Sequence, residues 1–362
     1  MANAGIDWNS LSVQLNGTYL ERQIRRANRN LLLVAAFLIL GVVVYGIASW
    51  RYFYNFFTGP YGAGAARLSA IKSPDDELRF FLRVKGEQTY DSGFQEIERE
   101  TEGGTVKSET VKAKYSILLV EGRFLIVKGD PNYSGVSFQG GIEPLPQDLR
   151  ADIITPLLQK HPDANERFFP LMLDATGFRN DGYLGIAICI PTVLLGLWLI
   201  RKVLLRKNNP AIHPVVKSAS RYGSLVDTAQ QLDSELRGDT VKFGKASVTP
   251  SWVLLPTTFG LSMCRIPDLI WTYKKVTRHY HTFIPTGKTY ALIMYDRFGV
   301  PLTLQARLKK VDALLALLAQ RSPWAIFGYS DELKKHLQTN WRGFIATVDA
   351  RRAGPPPQPA SG

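Results

Sequence analysis

Two uninterrupted apolar runs constrain this chain more than any other feature. LLLVAAFLILGVVVYGIAS, Leu31 to Ser49, and GYLGIAICIPTVLLGLWLI, Gly182 to Ile200, contain no charged residue. At 1.5 Å of rise per residue, a helix of about 20 residues crosses the roughly 30 Å hydrocarbon core of a bilayer, so each run is long enough to span one. The core helix of a soluble protein is also apolar, but the flanks favour a membrane. Arg22, Arg25, Arg26 and Arg29 precede the first run, and the aromatic cluster WRYFYNFF follows it, as suits a headgroup zone. Arg201, Lys202, Arg206 and Lys207 follow the second, with Trp198 near its end. No small-residue cleavage site directly follows the first run, which argues against a removable signal peptide; GAGAA at Gly62–Ala66 is the nearest imitation.

Basic residues beside a span resist translocation, so their count predicts orientation. Four precede the first run and four follow the second, whereas the near flanks of the intervening segment hold only Arg51, Arg67, Arg167 and Arg179. Both termini are therefore expected in the cytoplasm and residues 50–181 outside. Residues 50–181 carry 16 Lys and Arg against 19 Asp and Glu, a net −3, while the rest carries 28 against 12, a net +16, which together give the chain's +13. Because the excess lies beside a membrane, anionic lipid is its expected partner rather than nucleic acid, at about 1 kcal/mol per basic residue near the surface. The outer segment has no cysteine, Cys189 lying in the second run and Cys264 beyond it, so its fold cannot rest on disulfides.

Outside the runs the period changes to that of strands. After the Gly-rich connector YNFFTGPYGAGAARL, the stretches LRFFLRVKGEQTY, GFQEIERET, TVKSETVKAKYSILLV and RFLIVKG alternate. The turns EGG (Glu102–Gly104) and EGR (Glu121–Arg123) favour antiparallel pairing, and YSILLVEGRFLIVKG is the strongest hairpin in the chain. Helical spacing of Leu149, Ile153, Ile154, Leu157 and Leu158 follows over Pro146–Lys160, so a small β-barrel with one helix is expected, of the oligonucleotide/oligosaccharide-binding type at most. Beyond the second run, Leu225, Ala229, Leu232 and Leu236 give one amphipathic helix that Gly238 ends. From Val241, five to seven short strands lead to the helix patterns VDALLALLAQ and DELKKHLQTNWRGFIATVDARR, and a low-complexity AGPPPQPASG tail is expected to be disordered.

Few residues point to chemistry. In IWTYKKVTRHYHTF, strand alternation places Trp271, Tyr273, Lys275, Thr277, His279 and His281 on one face and Ile270, Thr272, Lys274, Val276 and Arg278 on the other. His279 and His281 have a chelating spacing, but no third ligand lies at motif distance, and no metal is expected. Trp271 and Tyr273 are expected in the core. A phosphate-binding site near the first hairpin of the second β-region would draw on Lys242, Lys245, Lys274, Lys275 and Arg278; a solvated basic face is the blander account. FGK at Phe243–Lys245 lacks the spacing of a phosphate loop. Glu96, Glu98, Glu100 and Glu102 form an acidic stripe without the turn that wraps calcium. No nucleophile elbow, HExxH or dinucleotide fingerprint is present, so no catalytic residue and no cofactor is expected. Pro191 is expected to bend the second span, and neither span holds an ionisable residue that would mark a transport path.

HPVVKSASRYGS, VDTAQQLDSELRG, SVTPSWVLL, CRIPDLIWTYKK and SPWAIFGYSDEL resemble an uncharacterised bacterial membrane-protein family, a domain of unknown function. Its members share a two-span frame, a helix ending in an LDxEL-like pattern and a strand with a D-x-x-W-x-Y-like pattern. The resemblance covers residues 210–345 and implies no activity or catalytic residue. The second β-region also resembles bacterial pleckstrin-homology-like domains, a likeness of fold that does not fix function.

The expected molecule is thus an α+β membrane protein with two transmembrane helices. Its parts are a cytoplasmic segment 1–30, a span 31–49, an extracytoplasmic small β-barrel-like domain 50–181 and a span 182–200. A basic juxtamembrane segment and helix (201–238), a cytoplasmic pleckstrin-homology-like β-barrel with C-terminal helices (239–352) and a tail 353–362 follow. It is expected in the bacterial inner membrane as a non-enzymatic scaffold or sensor joining an envelope-side partner to a cytoplasmic protein or to anionic lipid. The residues expected to touch that lipid are Arg201, Lys202, Arg206, Lys207, Lys274, Lys275 and Arg278. The alternatives are an accessory subunit of a transport or secretion complex, or an envelope hydrolase using the outer domain; self-association is left open.

Overall fold

The computed structural model describes residues 13–102, 105–156, 166–281 and 284–354. Both apolar runs lie in long helices, α1 (Tyr19–Ala48) and a later helix Phe178–Asn208, each long and apolar enough to cross a membrane. Only 11% and 17% of their most apolar windows are buried, which separates them from the core helices of soluble folds. α1 starts upstream of the run, where Thr18 Oγ1 accepts the Glu21 N–H and the Glu21 carboxylate accepts the Gly17 N–H. By contact the chain forms two compact units: an inserted unit, residues 37–195, and a split unit made of residues 1–36 and 196–362.

In the inserted unit the expected connector is instead α2 (Trp50–Thr58), β1 (Tyr61–Ala63) and α3 (Ala65–Ala70). β2 (Phe81–Lys85), β3 (Gln88–Glu102), β4 (Thr105–Val120), β5 (Arg123–Gly129), β6 (Ser137–Pro144) and β7 (Phe168–Asp174) complete a seven-stranded sheet ordered β1-β2-β6-β7-β5-β4-β3. The sheet is open, so the expected barrel does not form, and β1–β2 and β5–β7 pair in parallel within an otherwise antiparallel arrangement. One face buries Leu82, Leu118, Leu125, Phe169 and Leu171 beneath Leu68 of α3. The other packs Ile126, Phe168 and Met172 against Ile153 and Ile154. Those isoleucines sit on a π-helical turn, Arg150–Ile154, where a regular helix is expected; residues 157–160 of that pattern lie outside the described residues, as do Gly103 and Gly104 of the EGG turn. The β4–β5 hairpin forms as expected, with Glu121 (φ 47°) and Gly122 (φ 77°) as its two turn residues, the left-handed pair that a tight hairpin demands. Three carboxylates of the acidic stripe meet cross-strand and neighbouring partners, Glu96 with Lys128, Glu98 with Lys112 at 2.7 Å and Glu100 accepting from Ser108; the side chain of Glu102 lies outside the described residues.

The helix α4 (Phe178–Asn208) runs unbroken through Pro191. Its Gly182 lies against Phe56 and Tyr52, and a side chain at Gly185 would meet the Tyr45 hydroxyl at 2.8 Å, the close approach that small residues allow between apolar helices.

The split unit continues with α5 (Pro214–Ala219), α6 (Leu225–Arg237), β8 (Val241–Phe243), β9 (Ala246–Val248), β10 (Trp252–Thr257) and β11 (Gly260–Arg265). Then come β12 (Leu269–His281), β13 (Ile284–Asp296), β14 (Pro301–Ala306), α7 (Leu308–Arg321), β15 (Ile326–Phe327), α8 (Asp331–Thr339) and α9 (Trp341–Ala353). β8–β11 form one four-stranded antiparallel sheet; β12–β14 form a second, to which β15 adds in parallel on β12. Their inner faces share one core, in which Val253 and Cys264 of the first sheet meet Leu292, Met294 and Leu304 of the second. Val311, Leu314 and Leu318, at helical spacing on α7, close it. The outer faces are covered separately. Trp252, Leu254 and Met263 pack on α5, α6 and Leu20 of α1, and Trp271 and Tyr273 pack on Leu337 of α8 and Phe344 and Val348 of α9. The sheets remain separate, so this region too lacks the closed barrel. The last helical pattern breaks in two because Asn340 ends α8 and caps α9, accepting the Gly343 N–H at 3.0 Å. Of the expected tail, residues 355–362 lie outside the described residues.

Candidate functional site

The split unit holds a cleft of about 760 Å³ whose walls come from two hairpin turns, one strand and one helix start. The β8–β9 hairpin turns on Gly244, at φ +64°, and presents Lys245. The end of β10 and its turn supply Thr257 and Thr258, β14 supplies Thr303 and Gln305, and the first turn of α7 supplies Arg307 and Lys310. A second hollow of about 430 Å³ shares Gln305, Ala306 and Arg307 with the first and adds Lys288 and Thr289 from β13. Among the described residues, no acidic side chain lines either hollow. The side chains of Lys245, Lys288, Arg307 and Lys310 make no ion pair among the described residues.

Backbone dipoles reinforce these charges. Arg307 is the N-cap of α7 and offers no side-chain cap, while its carbonyl accepts from Lys310 and Val311. The Leu308 and Lys309 amides precede these bonds, at the positive end of the macrodipole. Three threonines, one amide side chain, three or four cations and a helix N-terminus converge on one space, a donor set that matches phosphate oxygens.

The cleft is tethered to the apolar helix. Asn30, the residue before Leu31, donates from Nδ2 to the carbonyl of Thr258 at 2.8 Å. Thr258 lines the cleft and is followed by Phe259, an aromatic side chain 41% exposed at the tip of the same turn. The rim therefore lies level with the start of the apolar run.

Of the lysines and arginine expected at a phosphate site, only Lys245 reaches the cleft. Lys274 instead pairs with Asp312 of α7 at 2.7 Å, and Lys242, Lys275 and Arg278 are exposed elsewhere, the last two on β12. Thr257, Thr258, Thr303, Gln305, Arg307, Lys310 and Lys288 were not singled out from sequence. One signal was present: RLKK places three cations at the start of a helix, where the macrodipole disfavours them. On α4, Arg201 and Lys207 are exposed, Lys202 Nζ sits 4.7 Å from the Trp198 ring centroid, and Arg206 is buried.

IPDLIWTYKK proves structural. Trp271 is 0% exposed, donates from Nε1 to the Gly328 carbonyl at 2.7 Å and stacks on Tyr295 with centroids 5.3 Å apart. Asp268 joins Arg297 at 3.2 Å. In LDSELRG, Asp233 accepts the Tyr19 N–H at 2.9 Å, and Glu235 accepts from Thr249, Ser251 and Gln231. His279 Nε2 lies 3.0 Å from Thr289 Oγ1, while the side chain of His281 lies outside the described residues.

Residues 229–337, from within α6 to within α8, match the family described as a domain of unknown function, DUF6709. No curated protein and no solved structure matches the chain.

Proposed function

We propose that this protein is a non-enzymatic scaffold or sensor of the bacterial inner membrane, whose split unit lies in the cytoplasm and takes phosphate-bearing anionic lipid into the cleft between Lys245, Arg307 and Lys310. The observation that carries the reading is the hydrogen bond from Asn30, at the start of the apolar run, to Thr258 on the cleft rim. A donor set that fits phosphate is useful to a lipid reader only at headgroup depth, and a bond from the residue that precedes the apolar run supports that depth. The charge balance supports the orientation, with −3 on residues 50–181 and +16 on the remainder. The two meanders that share one core closed by α7 support the pleckstrin-homology-like reading of residues 239–352.

The test is binding of the full-length protein in nanodiscs of graded anionic lipid content. A Lys245→Glu, Arg307→Glu, Lys310→Glu variant is expected to lose preferential retention of anionic lipid with no fall in its thermal transition. Equal retention by the variant would sink the cleft as the lipid site. A stoichiometric polytopic partner in gentle-detergent purification would move the reading to an accessory subunit, and turnover of envelope material by residues 50–181 would move it to an enzyme.

A further inference from the structure

The β12–β13 pair outruns the sheet it belongs to. β14 accompanies β13 only as far as the Tyr290–Ala306 pair, and β15 meets β12 only at Trp271 and Thr272. Residues 277–281 and 284–289 therefore continue as a bare two-stranded ribbon, which at about 3.4 Å per residue reaches roughly 17 Å past the end of β14. Such a ribbon is marginal in water unless something covers one of its faces.

Its two faces are unlike. Val276, Arg278 and Tyr280 continue the face on which Leu292 and Tyr290, across the strand, pack in or against the core. Past the core, Val276 is 46% exposed and Tyr280 60%. Arg278 stands directly opposite Lys288, and both are exposed. Like charges at opposed positions destabilise a strand pair, and neither cation makes an ion pair among the described residues. No Asp or Glu occurs between Asp268 and Asp296, so the ribbon has no acid of its own to relieve them. Aromatic and apolar side chains interleaved with cations suit a membrane interface, where rings sit at headgroup level and cations reach phosphate. The opposite face carries Lys275, Thr277 and His279, with no large apolar residue.

An acidic protein would match the same charges, but the position of the ribbon favours lipid. It leaves the sheet at Ala306, which lines both hollows, and Lys288 and Thr289 wall the second. The first hollow also takes in Thr258, whose carbonyl the Asn30 side chain holds at the start of the apolar run. One continuous wall thus leads from the apolar run through the cleft to the root of the ribbon.

We propose that the β12–β13 ribbon docks on the anionic surface of the leaflet that the apolar run of α1 enters, with Val276 and Tyr280 in the headgroup zone and Arg278 and Lys288 on lipid phosphates. The proposal deepens the lipid-binding reading of the split unit, on which it rests, by adding a contact separate from the cleft.

The experiment places an environment-sensitive fluorophore on Tyr280→Cys or, on the opposite face, Thr277→Cys, in full-length protein carrying Cys189→Ser and Cys264→Ala. The nanodiscs are phosphatidylcholine alone or mixed equally with phosphatidylglycerol. With phosphatidylglycerol, the label at 280 should shift to the blue and be quenched by headgroup spin-labelled lipid, while the label at 277 stays in water. Adding Arg278→Glu and Lys288→Glu should abolish the shift without lowering the thermal transition, since both residues are exposed. Hydrogen exchange of the unlabelled wild type, slower in the ribbon with phosphatidylglycerol than without, keeps the proposal testable if a labelled variant does not fold. A label at 280 that stays in water in both nanodiscs, or shifts equally in both, would overturn it. Ribbon protection that appears only with a co-purified acidic protein would assign the surface to that protein instead. A label at 280 left in water while lipid retention still depends on Lys245, Arg307 and Lys310 defeats the ribbon alone; an inserted label with retention unchanged in the triple variant defeats the cleft alone.

Discussion

At the scale of single residues, the largest energies are in buried side chains whose polar atoms are satisfied once. Trp271→Ala removes a ring packed among Tyr273, Tyr295 and Phe344 and leaves the Gly328 carbonyl without its donor, so it should cost about 3–5 kcal/mol in denaturant unfolding of the split unit. Trp271→Phe should cost less. The Tyr222 hydroxyl donates to Asp296 Oδ2 at 2.6 Å, with the Met263 carbonyl at 3.0 Å, and Asp296 is 2% exposed. Tyr222→Phe should therefore destabilise by about 1–3 kcal/mol, since it strands a buried carboxylate oxygen. His213 predicts a pH dependence. Burial first and the Arg206 charge second hold its folded pKa at about 4, below the ordinary 6.5, so between these values the unfolded chain binds more protons. In lipid-free protein its contribution to stability should be complete above about pH 6.5 and decline as pH falls towards 4, a slope that His213→Leu should flatten in thermal melts. Glu235 acts in the same direction lower down. Burial works to raise its pKa, but hydrogen bonds from Thr249, Ser251 and Gln231 hold it below the carboxylate norm, so its contribution is present above that norm and lost under acid.

At the scale of elements, the start of α7 sets stability against binding. Arg307, Lys309 and Lys310 place positive charge where the helix dipole is already positive. Lys310→Glu should therefore raise stability by about 0.3–1 kcal/mol while weakening retention of anionic lipid, and a variant that lost both together would deny the cleft its role. The β4–β5 turn is a purely local device. Gly122→Val forces a branched side chain to φ 77° and should destabilise the inserted unit by at least about 1 kcal/mol in thermal unfolding. The amphipathic helix α6, the β4–β5 hairpin and α7 were legible because each obeys one period and one stop signal: Gly238 for α6, Glu121–Gly122 for the hairpin, and Val311, Leu314 and Leu318 for α7. The expected helix was legible too, since residues 147–156 are helical, but its π turn over Arg150–Ile154 was not, because that turn leaves nearly the same apolar spacing as a regular helix. The closed barrels failed for a related reason. Alternation marks a strand and its buried face, but not whether the last strand finds the first.

At the scale of the whole molecule, two helices are each long and apolar enough to cross a membrane, and the orientation proposed from the flanking charges can be tested directly. Ser92→Cys should react with a membrane-impermeant thiol reagent in intact cells and Lys275→Cys only after permeabilisation, the reverse pattern refuting the orientation. The apolar runs, the basic flanks and the strand and helix periods were settled by local composition, since length and charge decide insertion and each element's period is written within itself. The cleft was a different matter. Lys245, Thr258, Thr303 and Arg307 lie up to 62 positions apart in sequence and meet only because two sheets and α7 share one core. Lys274, which looked available in the sequence, was claimed by Asp312, and Arg206, one of a run of cations, was the one that became buried. Which charges remain free depends on which partners long-range packing brings within a few ångströms, and no local pattern carries that information.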